Sequence, residues 1–393
     1  MKKIFAVLLC TALLVPFFVS AQDNLFTNPW DERFNNALRK YRTVGGAVAI
    51  VKNGKVVYEY YYGRQGKRDT LVNAQTKFHT ASVAKMVTAI GVMRLVEQGF
   101  IDLDTDLSQY FKFPVGNPRH KSTPVTLRQV MSHTSSISGD SNFGSKKHDL
   151  EWLLTPDRNT NKQWNEYAPG TKYQYANLNG GLLGAIIECL SGMSVDQFMK
   201  QQVFDPLDIE AAYNASLIKD LNTVSWRFKK DGSTIMSAEN MKRNSGYYQD
   251  TCDYKNHYYK TVGGLFISAR DLARLAYVLC KDGVVDNVRL LKPETIKLMR
   301  ANQASIPNSS VVTDKSSYGL NVDISIDDMT PVKWYGHQGM IEELICNAYF
   351  CPELDASVVL LTNGCSKKRT NRVGNISRAV MDIAYDFLTE SGF

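Results

Sequence analysis

Residues 80–85 read Thr80-Ala81-Ser82-Val83-Ala84-Lys85, and they lead into a long apolar run. Apolar residues recur at positions 86, 87, 90, 93 and 96, which is the period of an α-helix, and Gly99 suits the position just past a helix end. The pattern therefore predicts a helix whose first turn carries Ser82. Residues three apart share a helix face, so we expect the Lys85 amine beside the Ser82 hydroxyl.

This pair of side chains suits nucleophilic catalysis. A serine hydroxyl is a weak nucleophile, whereas a lysine amine buried among apolar residues has a lowered pKa and can accept the serine proton. The helix N-terminus adds positive potential where an oxyanion forms. The alternative is a helix cap at Ser82 and a solvated side chain at Lys85. The same four-residue pattern occurs at Ser216 and Lys219, so the motif needs support from the rest of the chain.

Length and composition indicate an ordinary globular protein with a sizeable core. The chain has 393 residues, of which 44% are hydrophobic and 22% charged, and its formal net charge is +7. Basic residues are scattered except over 367–372, where a solvated loop is a better interpretation than a nucleic-acid surface. The cysteines match no zinc or redox motif, so we expect no metal and leave their pairing open.

The first 21 residues have the pattern of a signal peptide. Lys2 and Lys3 precede an apolar segment over residues 4–19, and a small-residue cleavage site ends at Ala21. Cys10 lies inside the apolar segment, which argues against a lipoprotein signal. No later segment stays apolar for about 18 residues, so no membrane span is expected in the mature chain. The protein is therefore predicted to be exported, either to the periplasm or to the medium.

Strand patterns lie at both ends of the chain, and helical patterns lie between them. The predicted strands are 45–51, 55–62, 318–325, 332–335, 344–350 and 357–362, the first two joined by a type I′ turn at Asn53-Gly54. Besides the Ser82 helix, the predicted helices are 30–42, 126–132, 180–190, 268–280 and 373–389, and 208–260 is expected to be partly irregular.

The fold class that follows is α+β. Residues 22–80 together with 261–393 are expected to form a mostly antiparallel sheet flanked by helices, and 81–260 a mainly helical inserted part. The active site is expected at the junction of these two parts.

Two further short motifs follow the Ser82 motif in order: Tyr175-x-Asn177 and His337-Gln338-Gly339. Each is weak alone, and a second Tyr-x-Asn occurs at residues 254–256. Together, the three motifs resemble the signature set of the serine penicillin-recognising enzymes. The resemblance is to the branch of class C β-lactamases and D-alanyl-D-alanine carboxypeptidases, with related esterases and D-amino-acid amidases. The resemblance covers nearly the whole mature chain. Further segments that are similar to the family lie at 44–54, 127–135, 263–273 and 361–363.

The resemblance implies a role for each motif residue. Ser82 would be the acylated nucleophile, Lys85 its base, and Tyr175 a proton donor and acceptor that works with Lys85. On the substrate-binding side, Asn177 would contact the substrate amide and His337 would offer positive charge or a donor. Gly339 would also lie at the bound substrate, and the backbone N–H of Met340, the residue after the third motif, would complete an oxyanion hole with that of Ser82. No cofactor is implied.

The sequence departs from the family pattern in three places. Gln338 stands where a Thr or Ser hydroxyl is common, and a Ser in the pair Ser135-Ser136 stands where glycine is usual. After the third motif come Glu342 and Glu343, which would disfavour an anionic β-lactam if they faced the cleft. These departures affect the expected substrate more than the hydrolase chemistry.

The sequence therefore favours an exported serine hydrolase that acts through an acyl-enzyme on D-amino-acid peptides or amides, peptidoglycan fragments among them. The alternatives are an esterase on the same scaffold, a class C-type β-lactamase, or a non-catalytic binding protein of this fold. The last would be marked by loss of Ser82, Lys85 or Tyr175, and all three are present.

Overall fold

A computed structural model describes residues 28–139, 148–158, 163–245, 250–303, 317–326 and 329–391. The predicted signal peptide lies outside these residues, and the boundary between the two predicted parts of the chain stays a prediction. The strands are β1 (Gly45–Lys52), β2 (Lys55–Gly63), β3 (Phe78–His79), β4 (Arg227–Phe228), β5 (Thr234–Met236), β6 (Phe266–Ile267), β7 (Val284–Val285), β8 (Val288–Arg289), β9 (Asp323–Ile326), β10 (Trp334–Ile341), β11 (Leu344–Cys351), β12 (Ala356–Thr362), β13 (Arg369–Thr370) and β14 (Val373–Gly374).

The α-helices are α1 (Pro29–Lys40), α2 (Val83–Glu97), α3 (Leu127–Met131), α4 (Leu150–Leu154), α5 (Asn177–Ser191), α6 (Val195–Met199), α7 (Ala238–Ser245), α8 (Lys260–Gly263), α9 (Ala269–Val278), α10 (Pro293–Arg300) and α11 (Asn375–Glu390). Short 3₁₀ turns lie at Leu107–Gln109, Asp205–Leu207, Ala215–Leu217 and Leu221–Thr223, and a π-helical turn lies at Lys200–Phe204.

The main sheet has six strands in the order β2-β1-β12-β11-β10-β9, and every neighbouring pair is antiparallel. Its first two strands come from the N-terminal part of the chain and its last four from the C-terminal part, which confirms the predicted α+β sheet. The predicted turn between β1 and β2 is also confirmed, because Asn53 and Gly54 both have positive φ, 52° and 76°.

Helices cover both faces of this sheet. Alternate residues of β1 face opposite sides: Val48 and Ile50 pack in the cluster that contains α1 and α11, whereas Ala47 and Ala49 pack in the cluster that contains α2 and α9. This double burial explains why β1 is a continuous apolar run. Helix α2 is buried along nearly its whole length between the sheet and α5, so the Ser82 motif begins a helix that is fixed on both sides.

Two predicted strands differ from those in the structure. The third motif lies inside β10, which runs over Trp334–Ile341 instead of 332–335, and β9 begins at Asp323 instead of 318. The strand β10 shows little alternation of apolar and polar residues, since it contains two glycines, His337 and Gln338. Its side chains contact the site and a neighbouring loop instead of one apolar core. The segment 208–260 contains short 3₁₀ turns, the β4–β5 hairpin and α7, as the prediction of partly irregular structure implies.

Within the described residues, no single helix is long and apolar enough to cross a membrane. One sharply bent pair, Asn177–Ser191 with Val195–Leu207, passes the same test by length and composition only.

Candidate active site

Ser82 lies at the N-terminal end of α2, directly after a strained turn. Ala81 adopts φ +46°, a left-handed conformation that is uncommon for a residue with a Cβ. The Ser82 side chain makes no capping hydrogen bond to the helix. Ser82 therefore occupies the N-cap position of α2 without capping the helix through its side chain, and its hydroxyl is left for other partners.

Lys85 is the partner of that hydroxyl. Its Nζ lies 2.9 Å from Ser82 Oγ and donates to the carbonyl of Val262 at 2.6 Å. The side chain is fully buried, and burial lowers the pKa of Lys85 to about 7. A large share of the amine is thus neutral near neutral pH and able to accept the serine proton, as the sequence predicts, and the alternative of a solvated lysine is wrong.

Gly180 makes the room for Lys85, a role that the sequence analysis missed. A Cβ at this position of α5 would lie 2.5 Å from Cε of Lys85 and 2.7 Å from its Cδ, which is closer than atoms can approach. The only signal in the sequence is a pair of glycines inside a predicted helix, where glycine costs stability relative to alanine.

Tyr175 lies just before α5 with its ring beside the lysine. Lys85 Nζ is 5.3 Å from the ring centroid, and the phenol oxygen is buried with no hydrogen-bond partner among the described residues. Burial raises the pKa of Tyr175 well above its usual value, and the nearby Ser82 hydroxyl partly offsets this. Tyr175 is therefore a neutral phenol in the resting site, next to both members of the Ser82–Lys85 pair.

His337 of β10 is on the same side of the site, with its ring centroid 6.2 Å from that of Tyr175. Burial and the proximity of Lys85 lower the pKa of His337 to about 3. Its Nδ1 lies 2.7 Å from the carbonyl of Gln338, which can only accept, so Nδ1 carries the proton and the buried Nε2 is an acceptor. The expected positive charge at His337 is wrong, because desolvation in this pocket favours the neutral ring.

His133 is a second buried histidine that the sequence analysis did not place in the site. Its Nδ1 accepts hydrogen bonds from Ala176 N at 3.2 Å and Asn179 Nδ2 at 3.1 Å. Its ring lies 4.3 Å from that of Tyr175, centroid to centroid. His133 thus holds the backbone next to Tyr175 and packs on its ring. The sequence contained one signal for His133: it lies in the segment 127–135, which contributes to the family resemblance, but the resemblance gave this residue no role.

The neighbouring Ser136 is the position where the family usually has glycine. Its φ of +67° lies in the left-handed region that favours glycine, which explains the family pattern. Its hydroxyl donates to the carbonyl of Tyr167 at 2.6 Å and accepts from Asn117 at 2.8 Å. These bonds stabilise a serine in the strained conformation.

Gln338 and Gly339 face different surroundings on β10. The Gln338 side chain accepts from Gly374 N at 2.7 Å and donates to the Arg372 carbonyl at 3.1 Å, so it binds the loop before α11. A Cβ at Gly339 would lie 2.3 Å from the carbonyl oxygen of Thr80, so only glycine lets β10 approach the turn before Ser82. Gly339 therefore allows the close approach of the strand to this turn. The polar atoms of the Gln338 side chain bind the loop before α11 instead of contacting Ser82.

A cleft of about 500 Å³ opens beside Ser82. Asn177 and Met340 line it as the resemblance implies, together with apolar side chains that include Met236, Met241 and Phe266. Neither glutamate after the third motif lines this cleft. Glu343 accepts from Lys230 N at 2.5 Å, and Glu342 lies 3.5 Å from a guanidinium nitrogen of Arg227.

The two decoy motifs lie outside the cleft. The Ser216 hydroxyl donates to Asn214 at 2.7 Å within a 3₁₀ turn, and Tyr254 stacks on Phe111. Among the described residues, no group of three or more His, Cys, Asp or Glu side chains is placed to hold a metal ion. None of the described cysteines forms a disulfide bond.

Known proteins are similar to this chain in sequence and in fold. A family model described as Beta-lactamase matches residues 25–380. Penicillin-binding protein 4 of Amycolatopsis lactamdurans is 26% identical over 351 residues, which cover 85% of this chain and 84% of that protein.

Two solved structures show the same fold. The D-amino acid amidase from Ochrobactrum anthropi SV3, complexed with L-phenylalanine amide, superposes with a TM-score of 0.69 at 16% identity, covering 92% of this chain and 98% of that one. EstCE1, a hydrolase with promiscuous acyltransferase activity, gives 0.67 at 19% identity, covering 91% and 98%. The resemblance drawn from the three motifs is confirmed: the chain belongs to the beta-lactamase family of serine hydrolases.

Proposed function

We propose that this protein is an exported serine hydrolase that acts through an acyl-enzyme on D-amino-acid peptides or amides. The observation that carries the proposal is the contact between Ser82 Oγ and a fully buried Lys85 amine at 2.9 Å. The similarity to a penicillin-binding protein and to a D-amino acid amidase supports the substrate class. The signal-peptide pattern of residues 1–21 supports export, and peptidoglycan fragments suit that compartment.

Acylation begins with proton transfer from Ser82 Oγ to the neutral amine of Lys85. The serine oxygen then attacks the substrate carbonyl carbon, and the carbonyl oxygen becomes an oxyanion held by the backbone N–H groups of Ser82 and Met340. Collapse of this intermediate breaks the bond to the leaving amine. Tyr175 delivers a proton to that amine and regains one from Lys85, which leaves an ester on Ser82 and a neutral lysine.

Deacylation reverses these roles with water as the nucleophile. The neutral Lys85 amine accepts a proton from Tyr175 while the Tyr175 oxygen takes one from the water; hydroxide adds to the acyl carbonyl, and Ser82 leaves with the proton that Lys85 returns. His337 has no charge to offer in this cycle. Neither its unprotonated Nε2 nor the Tyr175 hydroxyl has a hydrogen-bond partner among the described residues, so we propose that Nε2 accepts from the Tyr175 hydroxyl once substrate is bound and then orients the phenol. Asn177 lines the cleft where it can contact the amide of the acyl group.

An esterase on the same scaffold is the second candidate function. The cleft beside Ser82 is lined by Met236, Met241 and Phe266, which suit a short apolar acyl chain, and EstCE1 shares the fold. The two functions differ in the leaving group: an amine needs protonation by Tyr175 before it can leave, whereas an activated alkoxide does not. Turnover of short acyl esters without turnover of D-Ala peptides would favour the esterase.

The test is intact-protein mass spectrometry after incubation with a fluorophosphonate and, separately, with a fluorescent penicillin. Wild type is compared with Ser82→Ala, and Ser216→Ala serves as the matched control because it removes the serine of the decoy motif. We expect adducts in wild type and Ser216→Ala but not in Ser82→Ala. An adduct with the fluorophosphonate alone would favour an esterase or an amidase with a closed carboxylate site, and rapid penicillin turnover would indicate a β-lactamase. Absence of any adduct would favour a non-catalytic binding protein.

A further inference from the structure

The cleft beside Ser82 contains an arginine whose hydrogen-bonding capacity is largely unused. Arg227 of β4 is 8% exposed and lines the cleft. One of its nitrogens contacts the sulfur of Met236 at 3.3 Å, and another lies 3.5 Å from the carboxylate of Glu342. The Nε atom is buried and has no hydrogen-bond partner among the described residues.

These contacts are weak for a buried guanidinium. A guanidinium presents five N–H donors, and it usually binds a carboxylate through two short hydrogen bonds of about 2.7–2.9 Å. The carboxylate of Glu342 is farther away than that, and its side chain is 39% exposed, so water competes for it. A buried charge without a close partner destabilises the protein, and binding of an anion at this position would relieve that cost.

The other charged residue of the cleft lining is also positive. Lys260 is the second cation among the lining residues, and none of the lining residues in the described part of the chain is an Asp or a Glu. The carboxylate nearest to Lys260 belongs to Asp196, 3.8 Å away and outside the lining. His79 also lines the cleft; burial and the charge of Arg227 lower the pKa of His79 to about 3, so it is neutral.

The position of the cleft indicates which half of the substrate it holds. Tyr175 and His337, which handle the proton of the leaving group, are not among the residues that line this cleft. Asn177 and Met340, which contact the acyl side in the proposed mechanism, do line it. Arg227 therefore lies on the acyl side of Ser82, among methionine and aromatic side chains.

We propose that Arg227 binds a carboxylate at the far end of the substrate's acyl group, so that the enzyme prefers acyl groups that combine an apolar stem with a terminal negative charge. The inference rests on the proposed function, because it concerns the same cleft and the same acyl-enzyme. It reverses the expectation that this site disfavours anions: Glu343 binds residue 230 outside the cleft, and Glu342 lies beside Arg227 instead of facing the substrate.

The test compares two esters that have the same leaving group and nearly the same length. Mono-4-nitrophenyl glutarate carries a terminal carboxylate, and 4-nitrophenyl pentanoate carries a methyl group in its place. We expect wild type to prefer the glutarate ester by kcat/KM. Arg227→Met should lower kcat/KM for the glutarate ester by about tenfold to a hundredfold and change it less than about threefold for the pentanoate ester.

Two further variants keep the test decisive if Arg227→Met folds poorly. Glu342→Gln removes the carboxylate that competes for the guanidinium, so the preference for the glutarate ester should rise several-fold. Arg227→Lys keeps the charge without the planar fork and should retain part of the preference. Arg33→Met is the control: this arginine pairs with Asp386, on α11, and should leave both esters unaffected.

The outcomes separate the two proposals. Equal losses of kcat/KM on both esters in Arg227→Met would overturn the role of Arg227, and so would an unchanged ratio of the two kcat/KM values in Glu342→Gln. In either case, Ser82-dependent hydrolysis of the pentanoate ester would leave the proposed function intact. Absence of Ser82-dependent hydrolysis of either ester, together with absence of an adduct with the fluorophosphonate, would overturn the proposed function and the inference with it.

Discussion

The Nζ atom of Lys85 lies 2.9 Å from the hydroxyl oxygen of Ser82, one turn along the same buried helix. Lys85 has no carboxylate partner in the described structure; its other close contact is a backbone carbonyl, that of Val262, at 2.6 Å. Burial without a counter-charge favours the neutral amine. The pair is therefore set up for proton transfer from serine to lysine instead of for an ion pair.

The first prediction concerns the pH dependence of acylation. The pKa of Lys85 is lowered to about 7, and only the unprotonated amine can accept the Ser82 proton. The rate of labelling by a fluorophosphonate should therefore rise with pH through an inflection near 7 and level off above it, and it should fall about tenfold per pH unit well below 7. Mass spectrometry of samples quenched at successive times, between pH 5 and 9, measures this labelling rate. An inflection near the ordinary lysine value would contradict the assignment of Lys85 as the base.

The second prediction concerns His337. Replacement by leucine removes the Nε2 acceptor that we propose for the Tyr175 hydroxyl in the substrate complex, so kcat should fall by about tenfold to a hundredfold. Replacement by glutamine puts a carbonyl oxygen near the position of Nε2 and should recover part of the loss. Steady-state kinetics with an amide substrate, whose leaving group needs the proton, provides the readout. If leucine and glutamine were equally impaired, the acceptor role would be wrong.

The third prediction concerns Gly180. Alanine is the better helix former by about 1 kcal/mol, but its Cβ would lie 2.5 Å from Lys85 Cε. We expect Gly180→Ala to lower the free energy of unfolding by about 1–3 kcal/mol, through overpacking, and to lower the acylation rate because Lys85 is displaced. Urea denaturation and labelling rates measure the two effects.

Gly66→Ala is the matched control for that variant. A Cβ at Gly66 would meet its nearest neighbour, Trp226, at an ordinary 3.6 Å. Both stability and labelling should stay close to wild type. A stable and fully active Gly180→Ala protein would show that the lysine does not need this space.

The fourth prediction concerns Gln338. Introduction of the family's hydroxyl by Gln338→Thr removes the hydrogen bonds to Gly374 and Arg372, at 2.7 and 3.1 Å. We expect a loss of about 1–2 kcal/mol of stability and no gain in penicillin acylation, since this side chain contacts the loop before α11. Thermal unfolding and labelling with a fluorescent penicillin are the measurements. A clear gain in penicillin labelling would show that position 338 controls access of the β-lactam.

Local sequence patterns determined the parts of this protein that depend on near neighbours. The i, i+3 spacing of Ser82 and Lys85, the positive-φ turn at Asn53 and Gly54, and the strands at both ends follow from helix period, turn chemistry and strand alternation, and the structure has all of them. The order of the three motifs was enough to identify the family, because that order does not depend on where each predicted helix or strand begins and ends.

Only the tertiary structure decided what depends on residues far apart in the chain. The buried amine of Lys85 needs the space beside Gly180 and the carbonyl of Val262. The neutral ring of His337 results from burial, and Arg227 reaches the cleft because the β4–β5 hairpin folds beside it. Periodicity records which face of an element is apolar, whereas burial, charge and proton state at a site are set by side chains that long-range packing brings together.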